Sequence, residues 1–190
     1  MLNLAHTALV VIDLQEDILN AAPLAPNSLD DMLTANTRLT TVLKNTSALI
    51  ALVSVETATF THLYPFAAEK RSIPTLTNAP DLSLPIASDQ SARNVIRVTK
   101  HNPGAFVGTD LDVQLRRFGI DTIILTGVST SNGVYATALD AFQYAYNVIV
   151  LEDACSDRDE EKHNFFFNKM FGRIARVATT DEIIGELGEE

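Results

Sequence analysis

The chain has 190 residues, 46% of them hydrophobic and 20% charged, and carries a formal net charge of −10. That length supports one full core and is short for two. No run reaches the roughly 18 consecutive apolar residues of a membrane span, and the acidic balance disfavours nonspecific nucleic-acid binding. A single cysteine, Cys155, excludes an internal disulfide framework and fits a reducing compartment. The first residues run into a strand-like segment without the basic flank and cleavage site of a signal peptide, so a cytoplasmic location is expected. One domain spanning 1–190 is expected.

In chain order, Thr7 to Asp13 is a continuous apolar run closed by an aspartate, as expected of a strand buried on both faces. A Pro-containing loop leads to a helix from about Asn27 or Ser28 to Lys44, with Ser28 as N-cap and Asp30 and Asp31 in its first turn. Its stripe is Leu29, Met32, Leu33, Asn36, Leu39, Val42 and Leu43, interrupted once by a polar residue. Ala48 to Val55 reads as a second strand. Glu56 to Arg93, with Pro65, Pro74, Pro80 and Pro85, lacks periodicity and reads as a loop covering a pocket or as an irregular surface excursion.

Asn94 to Val98 is predicted as the third strand, followed by a short helix marked by Leu111, Leu115 and Phe118 and stopped at Gly119. Asp121 to Thr126 is a fourth strand. A helix over Val134–Tyr146 follows, with Val134, Ala138, Ala141, Phe142 and Ala145 as its apolar face. Asn147 to Leu151 is a fifth strand, about Asp157 to Phe171 a helix, Ile174 to Ala178 a short strand, and an acidic helix starts at Asp181. Alternating strands and helices imply a mainly parallel sheet covered on both faces with right-handed crossovers.

Ligands in such sheets sit beyond the carboxyl ends of the strands, near the topological switch point. Asp13 ends the first strand, Lys100 lies just past the third and Gly133 follows the fourth, so all three open onto one edge. A buried aspartate needs a partner, and Lys100 is the candidate, whether as a catalytic pair or as a structural ion pair. The turn Gly127-Val128-Ser129-Thr130-Ser131-Asn132-Gly133 before a helix would aim backbone N–H groups at a ligand. An acyl-transfer enzyme would keep its nucleophile there, and Gly133 has no side chain. Ser129 and Ser131 are out of register as replacements, and Cys155 reads as a buried small residue.

Val10-Val11-Ile12-Asp13-Leu14-Gln15, Lys100 followed by Gly104-Ala105-Phe106, and Thr126-Gly127-Val128-Ser129-Thr130 through Ala141 resemble, in order, three signatures of the isochorismatase-like (cysteine) hydrolases. The resemblance covers most of the chain and weakens in the Pro-rich stretch. It implies a three-layer α/β/α sandwich around a six-stranded, mainly parallel, Rossmann-like sheet. It also implies catalytic roles for Asp13 and Lys100, and Gly133 at the nucleophile position, where the amidases of the family carry cysteine. Gln15, Phe106, Val128, Ser129 and Asn132 would line the substrate site, and Val128–Ser129 would be a non-proline cis peptide. Glycine at that position resembles the isochorismatases, in which the aspartate protonates an enolpyruvyl ether and water adds to the resulting cationic carbon. Burial would raise the Asp13 pKa and Lys100 would lower it, and the residues alone do not give the balance. Alternatively, Lys100 holds a substrate carboxylate.

The turn departs from true isochorismatases, which have an aromatic and a histidine where this chain has Ser129-Thr130-Ser131. Lys70 and Arg71 are loose candidates for further basic contacts, and Arg97 reads as a strand-edge surface charge. The nicotinamidase-type metal pair after the second strand is missing at Glu56-Thr57-Ala58, and His62 has no histidine at ligand spacing. Neither a metal nor another cofactor is expected. Two functions remain open: a cysteine-independent hydrolase of a small carboxylated or cyclic metabolite, or a catalytically silent small-molecule-binding or assembly protein. A small-molecule substrate is the expected partner, with no nucleic acid and no membrane. A homo-oligomer, dimer or larger, is implied by the resemblance and fits the consecutive Phe165, Phe166 and Phe167, which cannot all face one core.

Overall fold

Side-chain alternation along buried strands decides the layers. In the computed structural model, which describes residues 1–56 and 82–187, every residue of strand β1 (Thr7–Ile12) is buried. Ala8, Val10 and Ile12 face one core while Leu9 and Val11 face the other. The remaining strands are β2 (Leu49–Val55), β3 (Val95–Lys100), β4 (Thr122–Val128), β5 (Asn147–Ser156) and β6 (Arg176–Ala178). They form one six-stranded sheet in the order β3-β2-β1-β4-β5-β6, with every neighbouring pair parallel.

Helices α1 (Glu16–Leu19), α2 (Leu29–Leu43), α3 (Leu111–Arg117), α4 (Tyr135–Gln143), α5 (Glu160–Phe165) and α6 (Thr180–Glu186) connect or follow the strands. Met32, Leu39 and Leu43 of α2 and Ile183 of α6 pack on one face, and Leu111 and Leu115 of α3 with Ala138 and Ala141 of α4 on the other. The result is the expected three-layer α/β fold.

Helix α2 starts where Ser28 Oγ accepts the Asp31 N–H at 3.2 Å. The polar break in its stripe, Asn36, is wholly buried. Its Nδ2 donates to Met32 O and Ala154 O, and its Oδ1 accepts from Thr126 Oγ1 at 2.6 Å. It thereby ties the helix to β4 and β5.

Several boundaries differ from expectation. Strand β3 runs to Lys100, so the lysine is its last residue rather than one beyond it. Strand β5 continues through Glu152 and Asp153 to Ser156, and Asp153 Oδ1 caps the Thr180 N–H at 2.8 Å. That charged pair breaks the apolar run without breaking the strand. Helix α4 begins after a π-helical turn at Thr130–Val134 and stops at Gln143, because Ala145 adopts a positive φ of 65°. Ala145 therefore lies beyond the helix, Phe142 within it faces outward, and Phe118 likewise projects outward from the end of α3. The long helix expected over Asp157–Phe171 divides into α5, a π turn at Phe166–Met170 and a 3-10 turn at Phe171–Arg173. This division turns Phe167 and Phe171 into the core and leaves Phe165 exposed. Between 82 and 93 there is one 3-10 turn, Pro85–Ala87. Lys70, Arg71 and His62 lie outside the described residues.

Candidate active site

Strand β1 has β2 on one side and β4 on the other, so the chain changes direction across the sheet there. The crevice at its carboxyl end is the switch point at which open α/β sheets take ligands. Asp13 sits at this edge with φ 54°, in the left-handed region that few side chains adopt, and its N–H donates to Val53 O at 2.9 Å. Gly127 lies opposite Ile12 with φ 115°, and a Cβ there would stand 2.1 Å from Ile12 O. Only glycine allows β4 to approach β1 this closely.

Lys100 reaches the same place from the end of β3. Its side chain is 2% exposed, and Nζ lies 2.8 Å from Asp13 Oδ2 and 2.6 Å from Pro103 O. An ammonium has three donors, so one remains. Asp13 Oδ1 is buried and has no hydrogen-bond partner among the described residues. Burial pushes the Asp13 carboxyl up from 3.8 to about 6 against the opposing pull of the Lys100 charge. The contest between desolvation and the lysine is thus won by desolvation.

Gly133 completes the group. A Cβ built on it would lie 3.1 Å from Lys100 Nζ, 3.3 Å from Asp13 Oδ2 and 3.1 Å from Ile12 Cγ2. Its backbone continues the π turn without a positive φ, so conformation alone does not demand glycine. Its bareness matters for the space beside the ion pair. A nucleophile on this residue would have emerged directly against the aspartate and lysine.

The bend presents fewer donors than expected. Asn132 and Val134 N–H both donate to Ser129 O, and Ser131 N–H donates to Asp157 Oδ2 at 2.8 Å. The peptide bond between Val128 and Ser129 is cis. Ser129 is half-buried and Asn132 exposed at the bend, while the Val128 side chain belongs to the α2-side core. Gln15 is buried beside the site. Its Oε1 accepts Val55 N–H at 2.7 Å and its Nε2 donates to Val55 O at 3.3 Å, which fixes the segment after β1 onto β2. Phe106, expected at the pocket, packs instead in the core, with ring centroids 5.4 Å from Tyr144 and 5.9 Å from Tyr146. The loop after β3 turns its aromatic inward and leaves the Pro103 carbonyl to hold the lysine.

Burial also pushes the Cys155 thiol up, and this residue pairs with Gly127 inside the sheet, away from any reactive role. Among the described residues no group of three His, Cys, Asp or Glu side chains could hold a metal ion, and no helix is long and apolar enough to cross a membrane.

Residues missed from sequence reading cluster behind the bend. Asp157 is 3% exposed; besides Ser131 it takes the Arg158 N–H on Oδ1, and its backbone exchanges two hydrogen bonds with Ala25. Wholly buried His163 bonds Thr130 Oγ1 through Nδ1 at 2.9 Å. A correct end for β5 would have placed Asp157 on the same carboxyl edge as Asp13.

The Isochorismatase domain family matches residues 7–182. An uncharacterized isochorismatase family protein of Escherichia coli O157:H7 is 38% identical over 193 aligned positions, covering 98% of each chain. A solved isochorismatase family protein from Burkholderia thailandensis superposes with a TM-score of 0.74 at 33% identity, covering 96% of this chain and 95% of that one. An isochorismatase of Bacillus subtilis is 32% identical over 90 residues, 47% of this chain and 29% of its own length.

Proposed function

Since the chain belongs to the isochorismatase family, we propose that it is a hydrolase of a small carboxylated or cyclic metabolite that works without a cysteine nucleophile. One observation carries this reading. Asp13 Oδ1 is buried with no partner among the described residues, Oδ2 of the same carboxyl lies 3.3 Å from where a Cβ on Gly133 would stand, and burial raises the carboxyl to about 6. Such a group is protonated over a useful fraction of time near neutrality and has an oxygen available to deliver the proton. No covalent acyl intermediate can form on Gly133.

For an enol ether, the Asp13 proton goes to the terminal vinyl carbon and the ether carbon becomes cationic. Water adds to that carbon, loses a proton, and the resulting hemiketal collapses to a ketone and an alcohol. Lys100 keeps Asp13 Oδ2 in place and has one N–H left to meet a substrate carboxylate. No metal or organic cofactor is part of this scheme.

Asp13→Asn tests it. Against a panel of enol ethers, amides and esters, the variant is expected to lose turnover by at least about a hundredfold, while a metabolite that raises the wild-type melting temperature still raises that of the variant. A wild-type protein that is stabilised by a metabolite but turns over nothing in the panel would instead be a silent binder. We also propose a cytoplasmic homo-oligomer, dimer or larger. Light scattering of the purified protein is expected to give at least twice the 20.7 kDa chain mass, and a monomer would remove that part of the proposal.

A further inference from the structure

Two segments that supply the reacting pair and the bend are joined by one hydroxyl. Thr137, on the first turn of α4, is wholly buried. Its Oγ1 donates to Gly133 O at 2.7 Å and accepts the Ala105 N–H at 3.1 Å. The first bond is the common helical back-bond from a threonine to the carbonyl four residues earlier. The second is not local: Ala105 belongs to the loop after β3.

That loop is what seats the lysine. Lys100 Nζ donates to Pro103 O at 2.6 Å, two residues before Ala105. Between them, Gly104 lies so close to α4 that a Cβ would stand 2.4 Å from Asp140 Oδ2. The connections therefore close on themselves: from Lys100 to Pro103, along the chain to Ala105, across to Thr137 and back to Gly133. The last of these places its missing Cβ 3.1 Å from Lys100 Nζ. Only a group that donates and accepts at once can serve at the junction, which among small side chains means serine or threonine.

We infer that Thr137 is a positioning residue: its hydroxyl locks the lysine-bearing loop to the bend and so holds the Lys100 ammonium against Asp13. The inference rests on the reading of Asp13 and Lys100 as the reacting pair, but its test does not need turnover. The readout is the titration of the Asp13 carboxyl, followed by 13C NMR on aspartate-labelled protein and assigned by loss of the signal in Asp13→Asn. Thr137→Val keeps the shape and removes both hydrogen bonds; Thr137→Ser keeps both.

With the valine variant, the loop is released, the ammonium moves away, and the Asp13 midpoint is expected to rise by about one unit. The serine variant is expected to titrate as wild type. A valine variant with the wild-type midpoint overturns the inference, as does a serine variant shifted as far as the valine one. If the valine variant does not fold, the serine variant decides through the Ala105 amide. Slow amide exchange with an unchanged midpoint supports the lock, and fast exchange with an unchanged midpoint refutes it. Failure of the enzyme reading is separately visible: the wild-type protein would then turn over nothing in the panel, or Asp13→Asn would keep whatever turnover it has, even though Thr137→Val shifts the Asp13 titration.

Discussion

At Asp13, two costs are accepted together: a left-handed backbone at φ 54° and a buried carboxylate oxygen with no partner among the described residues. Each is of order 1–3 kcal/mol, and such features persist where the surrounding structure imposes them. Here the Asp13 N–H is held by Val53 O and the carboxyl by Lys100, so the side chain has little freedom to turn toward water. Under the proposed mechanism, Asp13 acting as a general acid with a pKa of about 6 gives a rate that falls roughly tenfold per pH unit above that value. Lys100→Met removes the charge that favours ionisation, and the descending limb is expected to move up by about one unit or more. A pH–rate profile of kcat/KM on both proteins measures this. A limb that moved down, or stayed in place, would mean that the lysine does not hold this acid's pKa down.

The elements behind the bend act on stability through a second buried titratable group. Burial pushes His163 down from 6.5 to about 4, with Asp157 pulling the other way. Its contribution is present above pH 6.5 and is lost as pH falls through about 4. Asp13 has the opposite sign: raised from 3.8 to about 6, its contribution is present below 3.8 and lost as pH rises through about 6. The two slopes oppose each other across one window, so single variants are needed to separate them. Urea unfolding at pH 7 and pH 4.5 is expected to show His163→Asn losing roughly 2 kcal/mol less on acidification than wild type. Equal losses would show that His163 does not titrate against folding.

Much of this was legible in the chain and some was not, for physical reasons. The buried runs of β1 and β4 identify themselves because a strand covered on both faces needs no polar alternation, and their carboxyl ends gave Asp13 and Gly133 directly. The end of β5 was hidden because Glu152 and Asp153 are half-buried charged residues within a strand. The direction of Phe106 was hidden as well, since a loop's inward or outward turn depends on partners as distant as Tyr144 and Tyr146. Thr137 looked like any helical threonine, because its second hydrogen bond comes from a residue 32 positions away.

Across the whole molecule, the site exists only because strands from distant parts of the chain are held in register. Asp13 follows β1, Lys100 closes β3 and Gly133 follows β4, so the seam between β1 and β4 fixes the bend relative to the acid. Gly127 is the tightest point of that seam: a methyl group there would meet Ile12 O at 2.1 Å and Ile12 N at 2.7 Å, both backbone atoms that cannot turn aside. Its φ of 115° adds strain for any other residue. Gly185 is the opposite case, a glycine inside α6 with nothing within 4 Å of an added Cβ. Gly127→Ala is therefore expected to cost about 3 kcal/mol or more, or to prevent folding, because overpacking and a forbidden φ act together. Gly185→Ala is expected to stabilise by about 0.5–1 kcal/mol through the reduced freedom of the unfolded chain. Chemical denaturation of both, with turnover or ligand-induced stabilisation on any folded Gly127→Ala protein, reads the two effects on one scale. A Gly127→Ala protein as stable as wild type would show that the sheet can open at this seam, and with it the acid could move away from the bend.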